Sequence, residues 1–137
     1  MSETERGLLA LYRQGIEEFN ARRFFECHES LETVWREEWR QAQRPFFQGL
    51  VQLAVGFHHL FTDNVRGALS LLERGSRNLD AFRPYHYGVD VDALTASVRV
   101  CLDEIHRLGS ERLDSFPKAL VPTITLGDLS VLEREWA

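Results

Sequence analysis

Three observations predict an all-α fold, a helical bundle with one central helix and about five others around it. Apolar residues recur at three-to-four spacing through most of the chain, which is the amphipathic helix signature. No stretch of strict apolar–polar alternation is long enough to argue for a sheet. One later stretch is apolar nearly all round, the pattern of a helix enclosed by its neighbours. At 137 residues the chain has the size of one domain with one core, so residues 1–137 are taken as a single unit.

The first helix is predicted over about residues 3–19, with Leu8, Leu9, Tyr12, Ile16 and Phe19 inward and Asn20 as the turn residue. The second spans about 22–41. Pro45 suits the first turn of a third helix, about 45–61, where a missing N–H costs nothing. Thr62, Asp63 and Asn64 form a turn with N-cap chemistry for a fourth, about 65–82, which buries Ala68, Leu69, Leu72 and Leu79. Arg83 to Gly88 is read as a loop, with Arg83, Tyr85, His86 and Tyr87 an ordinary structured connection or the rim of a pocket. Asp90 or Asp92 caps a fifth helix, about 92–109, with the stripe Leu94, Val98, Cys101, Leu102, Ile105 and Leu108 and Gly109 at its end. In the tail, about 110–137, Pro117 and Pro122 break helical continuity. Val121 to Leu126 is therefore expected to lie extended over the bundle, and Asp128 to cap a short last helix through Glu135.

Hydrophobic residues make up 44% of the chain and charged residues 27%, the balance of a globular protein rather than of a disordered chain. A net charge of −5, with no basic run longer than Arg22-Arg23, removes the electrostatic footprint of a nucleic-acid binder. Lys118 is the only lysine; the arginines are scattered rather than convergent, so codon usage explains them more simply than chemistry. Cys27 and Cys101 lack metal-ligand spacing and the density of a disulfide scaffold, which predicts buried, reduced thiols. Residues 1–6 are acidic and polar where a secretory signal is basic and then apolar, and the apolar stretch around Phe57 falls short of a membrane span. A cytoplasmic location, with no membrane and no nucleic-acid partner, is the resulting expectation.

On a helical wheel of the second helix, Phe24, Cys27, Leu31, Val34, Trp35 and Trp39 share one broad arc that must face the core. His28 and Glu32 fall within that arc and lie one turn apart, so the side chains can touch. Glu29 sits at its edge beside Phe25, and Glu26 points to solvent. A buried carboxylate without a partner costs several kcal/mol, so Glu32 calls for a hydrogen bond, a cation or a hydrated pocket. In the third helix the polar exceptions Gln48, Gln52 and His59 share one side, flanked by Gly49 and Gly56, which let a neighbouring backbone approach. The two sets are expected to meet as one cluster between helices two and three, since each needs partners.

Such a cluster is also compatible with a divalent metal on His28, Glu32 and His59, but the paired Glu-x-x-His signature of di-iron bundles is not repeated, and Glu32 stands where the zinc-protease motif needs a second histidine. No cofactor is therefore predicted. His58 and His106 are read as surface or half-buried packing, and Trp35 and Trp39 as packing anchors. No nucleophile–base pair is readable: Cys27 points about 100° away from His28 on the helix, and the serines lack nucleophile-elbow context.

Phe19-Asn20, Phe24-Phe25-Glu26, His28-Glu29, Glu32 and Trp35, followed by Phe47-Gln48-Gly49-Leu50, Gln52-Leu53-Ala54 and His59-Leu60, resemble domain-of-unknown-function family 309, small bacterial and archaeal helical proteins. The resemblance covers about residues 12–82. It implies a bundle with one central helix, and no activity. Its motif residues fall on His28, Glu29, Glu32, Trp35, Gln48, Gln52 and His59, the positions that the wheels isolate.

Three functions follow as expectations. The favoured one is a non-catalytic domain that binds a ligand or partner near His28 and Glu32. A metal-assisted or acid–base hydrolase using those two residues is the second. The third makes the cluster a purely structural network. Partner identity and homo-oligomerisation stay open.

Overall fold

A computed structural model describes residues 1–136. Helix α1 (Glu3–Asn20) opens on a capping box, in which Ser2 accepts from the Glu5 backbone N–H and Glu5 returns to the Ser2 backbone. Arg22 then takes a left-handed conformation, φ 64°, which ends the helical path and delays α2 (Phe24–Glu37) by two residues relative to the expected start. Glu38 leaves the helix in an extended conformation. The predicted extension to about residue 41 is therefore corrected, and with it the placement of Trp39. No longer carried on the α2 wheel, Trp39 is 79% exposed rather than a core anchor.

Pro45 lies in the first turn of α3 (Arg44–Leu60), as expected. Asn64 accepts from the Gly67 backbone N–H at 2.9 Å and caps α4 (Val65–Asp80). The connection read as a plain loop forms a small antiparallel ribbon, β1 (Tyr85–His86) and β2 (Val89–Asp90), turned by Tyr87 and Gly88 at φ 43° and 75°. Two residues of positive φ match the twist of a two-residue hairpin. Its strands are too short to show as an alternation in sequence. Asp90 caps α5 (Val91–Leu108) through the Ala93 backbone N–H, and Gly109 ends it at φ 65°.

Helix α3 is the centre: it packs against α2 on one side and α4 on the other, while α1 lies on α2 and α5 on α4. Gly49 and Gly56 do admit a close neighbour, and that neighbour is α4. A Cβ on Gly75 would stand 2.8 Å from the Gly49 carbonyl oxygen, and one on Gly56 would stand 2.8 Å from the Leu72 side chain. Val98 and Leu102 of the α5 stripe are fully buried.

The tail behaves as its apolar content and prolines predict. The Asn20 side chain pairs in both directions with the Ile124 backbone at 2.7 and 2.9 Å, and Arg22 donates to the Val121 and Pro122 carbonyls at 2.7 Å each. Leu126 bridges to Val89. Asp128 then accepts from Val131 at the start of α6 (Leu129–Trp136).

Trp136 closes an aromatic cluster with Tyr12, Phe47 and Tyr87, and the Tyr12 hydroxyl donates to the Tyr87 carbonyl at 2.8 Å. His86 stacks into the margin of this cluster against Phe46 and Phe82, with Nε2 2.7 Å from Gln43 Oε1. Burial holds its pKa below the usual 6.5; Glu135 opposes that shift and Arg40 reinforces it. The unfolded chain therefore takes up the proton first as pH falls, and stability is lost from about pH 6.5 downward through the folded-state value. His86→Gln is expected to flatten the urea midpoint between pH 7 and pH 5 relative to the parent; an unchanged slope would show that His86 does not set it.

Candidate functional site

The face of α2 that meets the core is narrower than its apolar arc. Phe24, Cys27, Leu31 and Val34 are buried, and Ser30 beside them donates to Glu18 of α1 at 2.6 Å. His28, Glu32 and Trp35 stand about 100° round from Cys27, Leu31 and Val34 in turn, at the edge of the interface rather than within it. His28 Nε2 lies 2.7 Å from Glu32 Oε2, so the expected one-turn contact forms. The other Glu32 oxygen pairs with Arg36. With side-chain exposures of 28% and 23%, the pair is not the buried one that the wheel implied: solvent and Arg36 supply what a sealed carboxylate would lack.

Glu29 is exposed on the solvent side, whereas Glu26, expected there, is half-buried. Trp35 is half-buried beneath Arg44, whose guanidinium sits 5.6 Å from the ring and donates to the Trp35 carbonyl.

On α3 the polar line is real, but its partners belong to the opposite neighbour. Gln52 Oε1 accepts from Asn78 of α4 at 2.6 Å. His59 Nδ1 is 3.2 Å from Asn64 Nδ2, and its ring packs where a Cβ on Gly67 would stand. Gln48 is half-buried on the same line. The single cluster of His28, Glu32, Gln48, Gln52 and His59 between helices two and three thus divides: His28 and Glu32 satisfy each other on α2, and Gln52 and His59 are satisfied by α4. All five side chains are half-exposed.

The histidine that reaches toward His28 is His58. Both rings stand 5.8 Å from that of Phe25, and Phe24, Phe25, His28, Val55 and His58 line a cleft of about 120 Å³. In sequence His58 reads as an isolated packing residue because no acidic partner is near it. The available signal is its position: Val51, Val55 and His58 recur at i, i+4, i+7 on the side of α3 turned to α2. Phe25 at the cleft mouth is 52% exposed.

Among the described residues, no three His, Cys, Asp or Glu side chains gather in a way that holds a metal ion. Cys27 and Cys101 are free and buried. Burial raises the Cys27 thiol far above its ordinary range and pushes Cys101 up to about 11, so neither supplies a thiolate nucleophile.

Residues 12–71 match the family model described as domain of unknown function, DUF309, which bears out the resemblance carried by the two linked motifs. The chain is also 38% identical over 71 residues to a protein of Bacillus subtilis (strain 168) described as uncharacterized protein YpuF. That match takes in 51% of this chain and 41% of the relative, so the chain spans less than half of the length of the relative it matches.

Proposed function

We propose that this domain is a non-catalytic binding module, and that it engages a partner protein through the side of the α2–α3–α4 layer that carries His28, Glu32 and Trp35. The cleft beside His28 is the observation that carries this reading. Its volume, about 120 Å³, is well under the roughly 300–1,000 Å³ of a small-molecule site, but it suits one apolar side chain of a partner. An exposed phenylalanine at its mouth and His28 at its wall, paired beyond the cleft with the solvent-reached Glu32, supply an aromatic anchor and polar specificity, the pattern of interface hot spots.

The reading requires no metal and no cofactor. A cytoplasmic setting suits the free, buried cysteines, and among the described residues no helix is long and apolar enough to cross a membrane. A net charge of −5 argues against nucleic acid as the partner. The purely structural alternative has less support, because a half-exposed i, i+4 pair contributes only about 0.3–0.5 kcal/mol to a helix.

Two measurements test the reading together. His28→Ala and Glu32→Gln are each expected to lower Tm by no more than about 2 °C; a drop beyond about 6 °C would favour the structural network. A photo-cross-linking residue placed at position 25, in cells of the source organism, is expected to capture one discrete protein, and the band is lost when Glu32→Gln is added. Capture of the same band from position 100 on α5, or none from position 25, overturns the proposal.

A further inference from the structure

Adjoining the cleft, and sharing Phe24 and His58 with it, is a larger pocket of about 450 Å³ lined by Arg22, Phe24, His58, Phe61 and Lys118. Its size falls within the range of small-molecule sites. Its chemistry is also different. The floor is aromatic, Phe24 beneath and Phe61 exposed at the side, with the two rings stacked at 6.0 Å and 9°. Two cations, one guanidinium and one ammonium, stand at the mouth, and no carboxylate lines it.

Arg22 is held by the tail, since both terminal nitrogens donate to the Val121 and Pro122 carbonyls; those oxygens are neutral, and the positive charge is left uncompensated. Lys118, the only lysine of the chain, stands on the same tail, and among the described residues neither cation forms an ion pair. In a chain of net charge −5, two unpaired cations over an aromatic floor are a local reversal of sign.

The geometry points to this pocket as a binding site for a small organic anion with an apolar body, such as an aromatic or branched-chain acid, whose ring or chain lies on Phe24 and Phe61 while its acidic group meets Arg22 and Lys118. Neither cation takes part in the partner-binding reading, although the two sites share Phe24 and His58. Substitution of Lys118 therefore tests this site without touching the other.

The test uses two probes of one ring system, 8-anilinonaphthalene-1-sulfonate and N-phenyl-1-naphthylamine, which differ by the sulfonate. The sulfonate probe is expected to bind the native protein at one site with a Kd on the order of tens of µM, and the uncharged one at least about tenfold more weakly. Lys118→Glu, on an exposed side chain, is expected to weaken the sulfonate probe about fivefold or more and to leave the uncharged probe unchanged, whereas Val100→Glu on α5 alters neither. Near-UV circular dichroism confirms native packing, because partly unfolded states bind such dyes as well. Equal affinity for the two probes, or a Lys118→Glu variant within twofold of the parent, overturns the proposal. So does co-sedimentation with phosphatidylglycerol vesicles that Lys118→Glu abolishes, since the anion is then a lipid surface.

Discussion

Phe47→Ala is expected to destabilise the protein by about 3–5 kcal/mol in urea unfolding, the cost of removing a fully buried aromatic ring and leaving a cavity. Phe47 sits within 5.4 to 5.8 Å of the rings of Tyr12, Phe46, Tyr87 and Trp136. One side chain thus joins α1, α3, the β-ribbon and α6. The loss is expected to appear first as proteolytic release of the segment that ends in α6, because that short helix depends on the cluster for its burial. Where the alanine variant fails to fold, Phe47→Leu supplies the measurement at about 1–1.5 kcal/mol. Phe25→Ala, on a ring half in solvent, is the control and is expected to cost less than about 1 kcal/mol. Equal costs at positions 25 and 47 would contradict a core centred on Phe47.

Gly75→Ala is expected to destabilise by about 1–3 kcal/mol, although helix propensity alone favours the change by about 1 kcal/mol. The new Cβ would stand 2.8 Å from a backbone oxygen of α3, which cannot turn aside as a side chain can. The two helices must therefore separate along the most extensive interface in the molecule. Gly7→Ala isolates the propensity effect. That glycine lies inside α1, and an added methyl group there would meet nothing within 4 Å, so alanine is expected to stabilise by about 0.5–1 kcal/mol. Opposite signs for the two substitutions, read as shifts in the urea midpoint, are the expected result. A stabilising Gly75→Ala would refute the close α3–α4 approach.

Helix existence and order were legible in the chain because they rest on local rules. Asn64, Asp90 and Asp128 each stand just before a helix and accept from a backbone N–H of its first turn, and Pro45 falls in a first turn. The covering segment from Val121 to Leu126 was legible for a similar reason: apolar residues around Pro122, following Pro117, need burial but cannot continue a helix. The ribbon at Tyr85–Asp90 was not, since two-residue strands are shorter than any alternation that marks a sheet.

The sequence by itself determined that this protein is an all-α bundle around a central third helix, that His28 and Glu32 touch, and that Gln48, Gln52 and His59 share a line. Only the tertiary structure decided what those lines face. A wheel gives the angle of each side chain about its own helix, and it carries no information about the width of a contact or which neighbour covers it. Helix α2 contacts the bundle over a narrow arc centred on Cys27 and Leu31, so His28 and Glu32 emerge at its rim. Small residues draw α4 so close to α3 that Asn78 and Asn64, rather than His28, complete the hydrogen bonds of Gln52 and His59.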